Sequence, residues 1–180
     1  MGDEIEYFLK LTVVGDHNVG KTALLETFTN GGFIRDELPK LFSSNTVTVE
    51  EFSIDLWDTD PSDKVQKLRP ITYTNTCIFL ICFSIDNASS HESVTTKWVP
   101  EIRKFSSKIP FMIVGTKTDL RTRSSIHPDV GKELAEAAGA VKYMECSAIH
   151  NDNVQEVFLE AARLSDRRSL QEKSKTCVLL

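Results

Sequence analysis

No apolar run in the sequence reaches the roughly 18 residues that span a bilayer, and no signal peptide opens it, so a membrane-embedded or exported protein is not expected. There is no internal repeat and no low-complexity segment, which excludes a repeat array. The four cysteines lack metal-ligand spacing. Cys77, Cys82 and Cys146 lie in apolar segments and are expected to be reduced core residues; Cys177 stands apart near the end. Positive charge is also short. Against 26 Asp and Glu stand 21 Lys and Arg, a formal net charge of −5, which argues against a nucleic-acid partner. What remains is the ordinary composition of a soluble globular chain, and 180 residues suit one domain with a real core.

The most informative stretch is Gly15-Asp16-His17-Asn18-Val19-Gly20-Lys21-Thr22, which fits G-x-x-x-x-G-K-S/T. It follows an apolar run, Phe8 to Val14, and leads into the helical pattern that begins with Ala23. Strand, glycine-bounded loop and helix are the context this motif requires. Consecutive backbone N–H groups at a helix N-terminus cradle a phosphate chain. Lys21 adds positive charge near the outer phosphates, and the Thr22 hydroxyl is a ligand for Mg²⁺.

Apolar strand-like runs alternate with helical patterns, which predicts an α/β fold with a largely parallel sheet. Strands are expected over 7–14, 46–50, 52–58, 77–85, 110–114 and 141–146. The tight connection between the second and third makes that pair antiparallel. Helices are expected over 21–30, within 90–106, over 129–138 and over 153–170. In the second of these Val94, Trp98, Ile102 and Phe105 share an inward face. Residues 33–45 read as loop, and from Ser165 the chain turns polar and basic and is expected to fray.

A second site follows the strand that ends near Val114. Ligands of open α/β sheets sit beyond the carboxyl ends of strands, so Thr116-Lys117-Thr118-Asp119 shares an edge with the phosphate loop. A carboxylate at Asp119 accepts two N–H groups in the pattern that guanine offers and adenine does not. The Lys117 stem can lie along the ring. Cys146-Ser147-Ala148 ends the last strand and brings a backbone N–H toward the base carbonyl.

Taken together, G-D-x-x-x-G-K-T, L-W-D-T, L-R-P, C-F-S-I-D, T-K-x-D, Y-M-E-C-S-A and the terminal Cys177-Val178-Leu179-Leu180 resemble the Rho/Rac family of Ras-superfamily small GTPases over nearly the whole length. The resemblance implies a P-loop NTPase small G domain over residues 1–166, a mostly parallel central sheet with one antiparallel strand and helices on both faces, and a basic tail over 167–180. It implies a monomer that binds GDP or GTP with Mg²⁺, hydrolyses GTP and signals to the actin cytoskeleton. Exchange factors, a dissociation inhibitor and effectors are the implied partners. By position, nucleotide contacts fall on Asp16, His17, Asn18, Val19, Gly20, Lys21, Thr22, Ala23, Phe33, Thr116, Lys117, Asp119, Leu120, Ser147, Ala148 and Ile149. Phe33 would pack against the guanine, and Asp58 would hold Mg²⁺ through water.

Four positions depart from the family pattern, all around the γ-phosphate. His17 stands where the family has a small residue, crowding the space that a catalytic glutamine and an arginine finger enter. Lys40 stands where a switch threonine is expected, and an ammonium has no lone pair for a metal. Asp58-Thr59-Asp60-Pro61-Ser62 replaces D-T-A-G-Q, and Pro61 has no N–H to give the γ-phosphate. Ser62 replaces the glutamine that orients the attacking water, with too short a reach. Even an intact small GTPase hydrolyses GTP unaided at only about 10⁻⁴ per second, and an activating arginine adds roughly 10⁵-fold. Hydrolysis is therefore expected to be very slow, assisted or not. Two lost γ-phosphate contacts, each about 1.5–3 kcal/mol, also weaken the coupling of GTP to switch closure, and Mg²⁺ is expected to be weakly held. Lys40 has two readings: a solvated loop lysine, or a side chain that swings in to neutralise the γ-phosphate and makes a rewired GTP sensor. A working GTPase compensated by a partner and a phosphotransferase are the competing function classes. The missing loop insert over 121–127 and the short hairpin at Glu50-Glu51 bear on partner surfaces.

The terminal Cys177-Val178-Leu179-Leu180 fits C-a-a-X with a leucine that favours geranylgeranylation of Cys177. One lipid is a marginal anchor, to which Arg163, Arg167, Arg168, Lys173 and Lys175 can add about 1 kcal/mol each on anionic lipid. Asp166 and Glu172 dilute that set, so reversible attachment to the cytoplasmic face of membranes, the plasma membrane above all, is expected alongside a cytosolic pool.

Overall fold

Six strands form one sheet in the order β2-β3-β1-β4-β5-β6: β1 Tyr7–Gly15, β2 Ser44–Val49, β3 Phe52–Asp58, β4 Ile78–Ser84, β5 Phe111–Thr116 and β6 Lys142–Glu145. The computed structural model describes residues 7–33 and 44–176, leaving aside the side chains of 7, 44 and 166–176. Lys40 and Cys177 lie outside the described residues, so the readings placed on them gain nothing from the structure. β2 pairs with β3 in antiparallel register across the Glu50-Glu51 turn, where Glu50 takes a positive φ; every other pairing is parallel.

Period-two alternation divides the sheet's side chains into two cores. Leu9, Leu11 and Val13 of β1 join Leu24 and Phe28 of α1 (Lys21–Asn30) and Phe158 and Ala162 of α5 (Val154–Thr176) on one face. Phe28 stacks on Phe158 with ring centroids 4.1 Å apart. Val14, Phe79, Ile81 and Phe83 face the other way, against Trp98, Ile102 and Ala135. Each such fully buried side chain contributes about 1.5–3 kcal/mol by leaving water, and this anchors the strand ends that carry the site. The fold is the small G domain of phosphate-loop NTPases, with helices on both faces as expected.

Some elements differ from the sequence reading. The helix expected within 90–106 is three pieces: α2 Ala88–Ser93, a π turn Val94–Trp98, and α3 Val99–Phe105. Asn87 caps the start by accepting from the Ser90 N–H, and the Val99 N–H bonds the Val94 carbonyl. The cause of the wide turn is Pro100, which has no N–H to give Thr96 and displaces the ladder one residue before itself. Phe105 was expected to face inward. It meets Tyr73 edge-on but stays 40% exposed, because it is the last residue of α3. Cys82 and Cys146 are buried free thiols, but Cys77, one residue before β4, is only half-buried. The fourth helix, α4, spans Pro128–Ala138. The last, α5, runs on to Thr176 rather than ending near Leu170. No helix among the described residues is long and apolar enough to cross a membrane.

Candidate nucleotide site

β1 ends in Gly15, whose φ of +149° and whose position leave no room for a side chain. A Cβ there would lie 2.3 Å from the Cys82 carbonyl oxygen of β4. The chain then loops through Asp16 to Gly20, and Gly20, at φ +93°, opens α1 without a side-chain cap. The first N–H groups of that helix therefore point at whatever lies beyond the sheet edge. The Lys21 ammonium folds back over the loop and donates to the carbonyls of Gly15 (2.9 Å) and Asp16 (2.8 Å). Burial holds this ammonium below the usual lysine range, against the pull of Asp58. A charge short of solvent, in a ring of inward backbone dipoles, is a phosphate cradle.

Beside it the Thr22 hydroxyl donates to Asp58 Oδ2 at 2.5 Å. Oδ1 of Asp58 is buried with no partner among the described residues. Burial pushes the Asp58 carboxyl up, against the Thr22 hydrogen bond and the Lys21 charge. An orphaned buried carboxylate oxygen next to a hydroxyl fits a hard divalent cation, which Thr22 and Asp58 would hold.

The second motif is tied to the first. Thr116 donates to the Val19 carbonyl at 2.5 Å and to the Phe83 carbonyl at 3.0 Å, and Lys117 Nζ reaches the Asn18 carbonyl at 2.5 Å. Lys117 itself takes a left-handed φ of +61°, which turns the chain so that Thr118 N–H bonds the Cys146 carbonyl. Ser147 then donates to Asp119 Oδ1 at 2.6 Å. A slot of about 160 Å³ opens between these loops, lined among others by Gly20, Phe33, Lys117, Asp119, Ala148 and Ile149. The structure thus brings Phe33, Thr116, Lys117, Asp119, Ala148 and Ile149, predicted to meet the base, into one cavity, while Ser147 is not among its lining and reaches it through Asp119. Leu120 is not among those lining it, and Ile149 is 53% exposed at its mouth. Asp16 is turned away. Its carboxylate accepts from Trp98 Nε1 at 2.8 Å, which clamps the phosphate loop to the helical layer behind it.

A phosphate cradle and a base slot at one sheet edge are the parts of a nucleotide-binding fold. A family model described as the Ras family matches residues 10–167. The chain belongs to the Ras family. It is also 37% identical over 179 residues to the Ras-like GTP-binding protein RhoL of Drosophila melanogaster, an alignment that covers 96% of this chain and 94% of that protein. Ras-family proteins are small GTPases that bind GDP or GTP with Mg²⁺ and act as signalling switches.

Within this Ras-family chain, the region that departs from the family pattern has its own architecture. Arg69, fully buried, is its centre. Nε donates to the Asp60 carbonyl at 2.8 Å and one Nη to the Ser62 carbonyl at 2.9 Å. The other Nη spans both carboxylate oxygens of Glu101 on α3, at 2.9 and 2.8 Å. Tyr73 donates to the same carboxylate at 2.6 Å. Lys97 reaches the Pro61 carbonyl at 3.3 Å. All three carbonyls of residues 60–62 thus face cations, two of them Arg69 and one Lys97. The Ser62 N–H is held by Asp60 Oδ1 at 2.8 Å. Burial would raise the Asp60 carboxyl, but the Ser62 hydrogen bonds, His17 and Arg69 outweigh it and hold it below its usual range. His17 is exposed, and Pro61 is buried.

Sequence reasoning missed Arg69, Glu101 and the second role of Trp98. L-R-P was read as a family signature and Trp98 as core only. The one available signal was an arginine between Leu68 and Pro70, close after an altered loop.

Proposed function

We propose that this Ras-family protein is a guanine-nucleotide-binding switch of the Rho/Rac branch that hydrolyses GTP very slowly and couples the γ-phosphate only weakly to its switch segments. The observation that carries the reading is the anchoring of residues 60–62. Their three carbonyls are bonded to Arg69 and Lys97, the Ser62 N–H is bonded to Asp60, and Pro61 has no N–H at all. No backbone donor at position 61 remains to register a terminal phosphate. A nucleotide that makes no differential contact with two conformations cannot shift their equilibrium. Ser62, at the water-orienting position, has its backbone fixed toward Arg69 and lacks the reach of a glutamine.

Lys21 with the loop from Asp16 to Ala23 would hold the phosphates, and Thr22 with Asp58 a weakly bound Mg²⁺. Phe33, Thr116, Lys117, Asp119 and Ser147 to Ile149 would hold guanine. Prenylation at Cys177 would attach the protein reversibly to the cytoplasmic face of membranes, where exchange factors, a dissociation inhibitor and effectors acting on actin would meet it. Sensing through Lys40 is a distinct reading, supported by residue type alone.

Single-turnover hydrolysis of bound GTP tests the proposal. The expected rate lies well below the roughly 10⁻⁴ per second of an unassisted family member. A rate at or above that value overturns it. Pro61→Gly with Ser62→Gln should raise the rate; no change in either hydrolysis or GTP response would discard this account of the defect.

A further inference from the structure

The segment that leads from the base-reading motif to α4 is Arg121-Thr122-Arg123-Ser124-Ser125-Ile126-His127. It gathers three hydroxyls and two guanidinium groups into one turn that belongs to no helix or strand. Residues 121–124 are exposed. A single backbone bond closes the turn, from the Ser125 N–H to the Thr122 carbonyl at 3.2 Å. The Ser125 hydroxyl is engaged: it accepts from the Thr122 N–H at 2.9 Å, and the residue is half-buried. The Ser124 hydroxyl meets only the Thr122 hydroxyl among the described residues, at 3.0 Å. Arg123, directly before Ser124, forms no ion pair among the described residues. Arg121, three residues before Ser124, is committed at both arms of its guanidinium. One Nη donates to the Ile126 carbonyl at 3.0 Å and the other to Glu145 Oε2.

That ion pair has a place in the nucleotide site. Arg121 comes two residues after Asp119, and Glu145 two residues before Ser147. Glu145 is fixed in turn by Tyr143, which donates to Oε1 at 2.7 Å, and by Asn153, whose side chain donates to the Glu145 carbonyl at 2.6 Å. The Arg121–Glu145 pair therefore joins the two segments of the base slot, alongside the bond from Ser147 to Asp119.

We propose that Ser124 is a phosphorylation site for an arginine-directed protein kinase, and that the phosphate draws Arg121 off Glu145 and speeds the release of guanine nucleotide. Such a kinase binds an extended segment and reads the guanidinium groups ahead of the serine with its own carboxylates. The turn becomes extended at the loss of one backbone bond and its hydroxyl contacts. Ser106 also follows basic residues, but Arg103 and Lys104 lie in α3 and are drawn out only by unwinding it. In the transfer, Ser124 Oγ bonds the γ-phosphorus of ATP, the bond from that phosphorus to the bridging oxygen breaks, ADP leaves, and the hydroxyl proton passes to the kinase's catalytic carboxylate. The product carries about −1.5 to −2 charges at neutral pH and three acceptor oxygens. It outcompetes a single carboxylate for the Arg121 guanidinium, whose side chain is 33% exposed and free to turn. The acceptor serine is argued from the loop alone; the effect on release rests on the guanine reading proposed above.

The test treats the full-length protein, loaded with GDP, with ATP and either the cyclic-AMP-dependent or the calcium–calmodulin-dependent kinase. Mass spectrometry should place a phosphate on Ser124, which Ser124→Ala removes and Ser125→Ala keeps. No phosphate in the segment 121–127, or phosphate there on Thr122 or Ser125 alone, overturns the site. Untreated Ser124→Ala should hold GDP as the parent does. GDP should leave the phosphorylated parent at least about twofold faster than it leaves Ser124→Ala treated in the same way, which cancels any phosphate elsewhere. A smaller change overturns the effect on release alone. Glu145→Gln should release GDP faster without any phosphate, and phosphorylation should then add nothing; equal acceleration in that variant overturns the route through Arg121. Failure of the untreated parent to hold GDP would refute the guanine reading and not the site, which mass spectrometry reports independently.

Discussion

Replacing Arg69 with leucine removes a buried guanidinium and leaves Glu101 with only Tyr73 as a partner. Breaking a buried pair by deleting one member costs about 3–5 kcal/mol, because the other charge is stranded in a poorly solvated place. Glu101 is only 12% exposed at its side chain, so the stranded charge is not rescued by water. The carbonyls of Asp60 and Ser62, on half-buried residues, also lose their donor, which adds to the loss. For a domain of about 150–250 residues, 1 kcal/mol moves the melting temperature by roughly 2–4 °C, so Arg69→Leu should lower it by about 6–20 °C. The assay is calorimetric unfolding at one fixed GDP and Mg²⁺ concentration, since nucleotide binding itself raises stability by mass action. A companion variant sharpens the reasoning. Arg69→Leu with Glu101→Leu should lose less than the sum of the two single variants, because the double change leaves no orphan charge. A drop below about 3 °C for Arg69→Leu, or strict additivity, would refute the view of Arg69 as the anchor of residues 60–62.

Other consequences follow from buried polar groups. His91 Nε2 is buried without a partner among the described residues, and its ring meets Phe83 edge-on at 5.1 Å. His91→Phe keeps the ring contact and removes the unpaired group, so chemical denaturation should show a gain of about 1–3 kcal/mol. Burial holds the His91 imidazole below its usual 6.5. The unfolded chain then binds more protons there, so this residue's contribution is full above about 6.5 and is lost as pH falls below it; His91→Phe should flatten that slope. Asp58, whose carboxyl burial pushes up, carries an uncompensated cost when ionised in metal-free protein. Asp58→Asn should therefore raise stability in chelator by about 1 kcal/mol, and saturating Mg²⁺ should reverse the order of the two proteins; the same order in both conditions would contradict the cation site.

What could be read from the sequence was local or periodic. The phosphate loop is legible because Gly15, Gly20, Lys21 and Thr22 are fixed by backbone geometry within eight residues. The buried strands and the antiparallel hairpin are legible because alternation and loop length dictate them. The base-side residues were found through position relative to a strand end, which the parallel sheet converts into a shared edge. What was hidden is long-range. Arg69 meets Glu101 32 residues away, and Trp98 meets Asp16 82 residues away; neither pairing leaves a mark in spacing. The π turn was missed because the helical period over 90–106 was followed without weighing the hydrogen bond that Pro100 denies to Thr96. The inward placing of Phe105 followed a helical period to the last residue of the helix, where no further turn covers it. Within the altered region, the residue types at 60–62 showed what was lost. Only the structure showed what the loop is bonded to instead.

The central claim is that residues 60–73 are held by Arg69, Glu101 and Lys97 and not by the nucleotide. Amide hydrogen exchange across that segment, compared between GDP and a non-hydrolysable GTP analogue with Mg²⁺ present, addresses it most directly. Protection in the two states should agree to within about 0.5 kcal/mol. Protection that strengthens by about 2 kcal/mol or more only with the GTP analogue would contradict it.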